Sequence, residues 1–101
     1  MSRSHLIAIA LIGLFCASAM QADLPKTFLK QYCYKCHGPE KQKAMRRFDA
    51  LSSSIRDFQQ LEQWQEIVDQ LNLGEMPPDD EKQPTEAERL AVVETITRGI
   101  A

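Results

Sequence analysis

An all-α fold is the expectation set by three features of this 101-residue chain. Trp64, Ile67, Val68 and Leu71 recur at i, i+3, i+4 and i+7, with Gln65, Glu66, Asp69 and Gln70 on the opposite face, the pattern of an amphipathic helix. Thr85-Glu86-Ala87-Glu88, preceded by Pro84, is a capping box that opens a second helix. Nowhere does the sequence alternate apolar and polar residues as a strand would, and it contains no repeat or low-complexity segment.

The first 22 residues read as a signal peptide, outside the fold. Arg3 gives a positive start, Leu6 to Phe15 is an apolar or small run, and Ala17-Ser18-Ala19 has the form of a cleavage site, so cleavage is expected after Ala19 or Ala22. The run is shorter than the roughly 20 residues of a membrane-crossing helix, and Gln21, Asp23 and Lys26 close it. No stable membrane span is therefore expected after cleavage, while an uncleaved segment would act as an anchor. Lipid attachment at Cys16 is disfavoured by the bulky Phe15 before it. Residues 23–101 then form one domain of roughly 80 residues, a size that commonly needs a disulfide, a metal or a cofactor for stability.

Pro25 suits a first helical turn, and Phe28 and Tyr32 lie four apart, so a helix is expected from Pro25 to Cys36, stopped at Gly38-Pro39. Glu40 to Ser54 is polar and basic, with Met45, Phe48 and Leu51 as its substantial apolar residues, and reads as loop. Ser52-Ser53-Ser54 offers an N-cap to a short helix containing Ile55 and Phe58. Gly74 is placed to cap the amphipathic helix, and Pro77-Pro78 forces an extended, stiff segment after Met76. The last helix is expected to bury Leu90, Val93, Ile96 and Ile100.

The formal net charge is −2, but basic residues dominate from 24 to 56 and acidic ones from 57 to 101. The basic half surrounds the cysteines and suits an acidic protein partner. No nucleic-acid partner is expected.

With Cys16 removed, the remaining cysteines both lie in Cys33-Tyr34-Lys35-Cys36-His37. Cys-x-x-Cys-His is the attachment signature of c-type haem. Two thiols one helical turn apart can add to two vinyl groups, and the adjacent imidazole reaches the iron from the same side. Half a zinc site would need a second ligand pair, which residues 23–101 lack, and a redox dithiol would need a βαβ setting. Met76 is the favoured second axial ligand, because Gly74 and the two prolines make a stiff loop that is a poor place for core packing; Met45 is the rival and has no rigid flank.

Phe28 to Asp49 (FLKQYCYKCHGPEKQKAMRRFD) and Trp64 to Pro78 (WQEIVDQLNLGEMPP) together resemble the planctomycete-type cytochrome c domain, and more distantly the small bacterial class I cytochromes c. The resemblance implies a cytochrome c fold, three to four short helices wrapped around one covalently bound haem, with crossing terminal helices. It implies Cys33 and Cys36 as attachment points, and His37 and Met76 as axial ligands of the iron. The chain departs from the family at Ala44, where a Gly is usual. Trp64, Arg46 and Arg47 are candidate partners of the haem propionates, although Trp64 fits a core position better and the two arginines fit a solvated loop. The expected function is one-electron transfer between redox proteins by a monomeric, non-enzymatic, exported or periplasmic carrier of one haem c. The alternative is a haem sensor or catalyst in which a small molecule displaces Met76, with Arg46 or Arg47 as the distal donor.

Overall fold

The computed structural model describes residues 24–100. The expected signal peptide and its cleavage points lie outside the described residues. Among these the fold is all-α, with helix α1 at 24–32, a 3-10 turn at Lys43–Met45, α2 at Phe58–Leu73 and α3 at Glu86–Ile100. No helix among them is long and apolar enough to cross a membrane.

In α1, Phe28 and Leu29 turn into the core and are 3% and 1% exposed, and the Phe28 and Tyr32 rings meet at 4.9 Å. The helix was expected to run to Cys36, but its regular part ends at Tyr32. Beyond it the hydrogen bonds lose their even spacing. The amides of Cys33 and Tyr34 both donate to the Leu29 carbonyl, and those of Cys36 and His37 both donate to the Cys33 carbonyl. The His37 bond, 2.9 Å, spans four residues, so the cysteine motif still occupies one helix-like turn.

The chain then folds back on this turn. Lys43 N–H donates to the Cys36 carbonyl and Phe48 N–H to the His37 carbonyl, each at 2.8 Å. At Gly38 the backbones come so close that a Cβ would lie 2.2 Å from the Tyr34 carbonyl oxygen, which leaves room for glycine alone.

A separate short helix capped by Ser52-Ser53-Ser54 does not form. Asp57 is the N-cap, its carboxylate accepting the Gln60 amide at 2.8 Å, and one continuous helix runs from Phe58 to Leu73. Ser52 Oγ instead accepts from Ser54 N–H, a local turn that competes with helix. Phe58 points to solvent, while Ile55 packs against the core. Trp64, Ile67, Val68 and Leu71 are all buried as the period requires, and Gly74 ends the helix at φ 71°, ψ 17°.

The capping box of α3 forms reciprocally: Glu88 N–H donates to Thr85 Oγ1 at 3.1 Å, and Thr85 N–H to Glu88 Oε1 at 2.9 Å. The buried face is turned from the expected one. Val92 and Ile96 are the buried residues, Val93 and Ile100 are half-buried, and Leu90 is 62% exposed. The cause is Glu88, whose Oε2 accepts from the Tyr32 hydroxyl of α1 at 2.7 Å. Residues 88, 92 and 96 share a face by their spacing of four, and that tie directs this face inward. α3 packs on α2, and their apolar faces join Phe28, Leu29, Phe48 and Leu51 in one core.

Candidate haem cleft

Beside the core lies a cavity of about 670 Å³, within the size range of pockets that hold a cofactor or drug-sized ligand. Cys33, Cys36 and His37 line it from the turn after α1, Ile67 and Leu71 from α2, and Met76, Pro77 and Pro78 from the segment after Gly74. All four residues singled out for haem therefore meet at one cleft, though the Cys motif and Met76 come from different parts of the chain.

His37 is oriented from behind. Its Nδ1 lies 3.2 Å from the Arg46 carbonyl, and the Phe48 ring sits 4.9 Å from the imidazole. A carbonyl oxygen only accepts, so this bond calls for the proton on Nδ1 and leaves the Nε2 lone pair free to ligate a metal.

The two cysteines are not bonded to each other, and burial, with a smaller contribution from Cys36, pushes the Cys33 thiol up to about 12. Catalytic dithiols work the opposite way, lowering the thiol's pKa so that a thiolate exists near neutral pH. Two thiols, an imidazole with a fixed tautomer and a thioether, set among apolar walls that include Phe48, Ile67 and Leu71, make a donor set that suits a covalently attached haem.

Met76 is 38% exposed and lines the cleft, whereas Met45 is 96% exposed and does not. Trp64 is a core residue: it is 4% exposed, and its indole N–H donates to the Ser52 carbonyl at 3.1 Å. It borders a separate cavity of about 140 Å³, shared with Pro25, Ile55 and Ile96. The two arginines part company. Arg47 pairs with Asp49 at 2.8 Å, holding that carboxyl below its usual range, and does not line the cleft. Arg46 does line it, paired with Glu66 and donating to the Ala44 carbonyl.

Several contributors carry no motif. Lys35, inside the cysteine motif, forms an ion pair at 2.9 Å with Glu81 beyond the prolines. Gln83 and Arg89 hydrogen-bond to carbonyls of the segment around Met76. Phe48 could have been suspected as one of few apolar residues in a polar loop. The others offered no signal, since their partners lie far along the sequence or are backbone atoms.

No curated protein and no solved structure matches the chain. The sequence model of the family described as Planctomycete cytochrome C matches residues 33–80, which run from the first cysteine of the motif to just past Met76-Pro77-Pro78. A cytochrome c domain implies covalently bound haem c, and it is this chemistry that the thiols, the imidazole and the cleft accommodate. Over residues 33–80 the chain is thus similar to a planctomycete-type cytochrome c domain.

Proposed function

We infer that the domain holds one haem c, joined to Cys33 and Cys36 with His37 and Met76 as axial ligands, and that it transfers single electrons between redox proteins outside the cytoplasm. The observation that carries this reading is the meeting of all four side chains at one cleft of about 670 Å³. When bound, the haem supplies a ferrous–ferric couple that takes an electron from a donor protein and passes it to an acceptor.

The chain's own residues set the conditions for that couple. The Arg46 carbonyl keeps the His37 ring in place and its Nδ1 protonated. Phe48, Ile67 and Leu71 limit water at the cleft wall, and a thioether opposite an imidazole favours the reduced state relative to two nitrogen ligands. A methionine filling the second axial position leaves a substrate no place to bind, which supports a carrier in preference to an enzyme. Lys43 keeps a positive charge on the cleft rim, which suits an acidic partner. Export is supported by the signal-like residues 1–22.

The test is to produce the protein in a host equipped for haem attachment, count covalent haems by intact mass and alkaline pyridine spectrum, and compare the reduction potential with that of Met76→Ala. One haem per chain is expected. The variant should keep its haem while its potential falls by on the order of 100 mV, a modest part of the range that axial ligands span. Colourless protein with two free thiols would refute attachment, and an unchanged potential would refute Met76 as a ligand.

A further inference from the structure

The segment that carries Met76 is secured by groups outside it. Arg89, in the first turn of α3, reaches back so that its Nη1 donates to the Leu71 carbonyl at 2.9 Å and to the Met76 carbonyl at 3.4 Å. Leu71 is in the last turn of α2, where carbonyls lack partners within the helix. Around it the cap is crowded: Gly74 N–H also reaches the Leu71 oxygen, and the amides of Glu75 and Met76 converge on Gln70. A guanidinium there complements the negative end of the helix dipole. Downstream, Gln83 Nε2 donates to the Pro77, Pro78 and Glu81 carbonyls at 3.1, 2.7 and 3.2 Å. Arg89 is thus the side chain that fastens the Met76 backbone both to the end of α2 and to α3. It does not line the cleft, so whatever it does for the haem site it does through Met76.

We propose that Arg89 is the positioning residue for Met76, pinning its carbonyl so that the thioether stays at the iron. This rests on Met76 being the axial ligand. Both bonds come from one nitrogen, Nη1, of a planar and permanently charged guanidinium, which holds the Met76 backbone more tightly than water or a neutral amide would. A merely structural Arg89 would lower the melting temperature of the whole domain and leave the sixth coordination site alone. A positioning Arg89 holds that site closed while the rest of the protein is folded.

Arg89→Gln, isolated as holoprotein, separates the two. The absorption band that reports the bond from methionine sulfur to ferric iron should disappear on heating well before the far-ultraviolet circular dichroism melts. The apparent affinity of the ferrous form for carbon monoxide should rise about tenfold, because losing a charge-assisted hydrogen bond raises the open fraction by that order. A band that persists up to the global melt, with carbon monoxide affinity unchanged, overturns the proposal. If instead the native protein lacks the band and Met76→Ala leaves its spectrum unaltered, the ligand assignment itself falls and takes this proposal with it. Should Arg89→Gln not accumulate, Arg89→Lys keeps a cation at the end of α2 while giving up the planar guanidinium, and the same two comparisons decide.

Discussion

Ala44 sits at φ 55°, ψ 29°, and Met45 follows at φ 59°, so two successive residues with a Cβ occupy the left-handed region. That region costs a residue other than glycine about 1–2 kcal/mol. The turn is held there by its neighbours: Lys43 N–H is bonded to the Cys36 carbonyl, and the Arg46 carbonyl faces His37. The backbone therefore keeps at Ala44 a conformation that favours glycine, the residue that the resemblance to the planctomycete-type domain leads one to expect there. Ala44→Gly should raise the unfolding free energy by about 0.5–1 kcal/mol once the greater freedom of glycine in the unfolded chain is counted, seen as a higher urea midpoint at unchanged slope. A lower midpoint would mean that the surrounding bonds do not impose this backbone. That Cys33, Cys36, His37 and Met76 line one cleft was foreshadowed in the sequence, because a Cys-x-x-Cys-His motif and a methionine in a stiff Gly/Pro-flanked loop are marked by residue type and spacing. The contacts of Arg89 and Gln83 were not, since their partners are backbone carbonyls, which have no identity in a sequence.

Among the elements, α2 shows what periodicity reveals and α3 what it leaves open. Trp64, Ile67, Val68 and Leu71 define a single stripe, and burial follows it. In α3, Leu90, Val92, Val93, Ile96 and Ile100 spread over more than one face, so the choice fell to a tertiary contact, the Tyr32–Glu88 hydrogen bond. The same reasoning explains α1, where the helical pattern through Cys36 gave no sign that two amides would share the Leu29 carbonyl. Glu88 joins the cap of α3 to α1, and its pKa is lowered, first by the Thr85 backbone N–H and then by the Tyr32 hydroxyl. A carboxylate with a lowered folded pKa stabilises above its unfolded value, and that stability is lost as pH falls through the folded one. Glu88→Gln keeps a residue able to complete the capping box but removes the charge. It should be less stable than the parent at pH 7, and the gap should narrow as the pH is lowered through and below the ordinary glutamate range. Urea melts across that range measure this, and a gap of equal size throughout would rule out Glu88 ionisation as the source.

At the scale of the whole molecule, the basic and acidic halves of the sequence are brought into contact at the cleft rim. Lys35 reaches Glu81 and Arg46 reaches Glu66, each pair joining a residue of the first half to one of the second. The charge separation expected from the sequence is thereby partly cancelled at the cleft rim. With Lys35 78% exposed, such a pair is screened by water and cannot be what holds the cleft together. The stability must come from apolar burial, and here the domain is short of material. Among the described residues its core is built from ten buried apolar side chains, while Phe48, Ile67 and Leu71 also form walls of a cavity of about 670 Å³. Covering those walls with a macrocycle supplies apolar contact that so short a chain cannot provide from its own residues. Folding and attachment are then linked, and a chain unable to attach haem should be mostly unfolded or degraded. Cys33→Ala combined with Cys36→Ala removes both thiols with little change in side-chain volume, so a loss of structure in that variant is not explained by packing. Followed by circular dichroism on heating, it should show no cooperative transition, whereas the native holoprotein should melt sharply. A cooperative melt in the double variant would mean that α1, α2 and α3 form a sufficient core by themselves, and that the haem is a passenger in the fold.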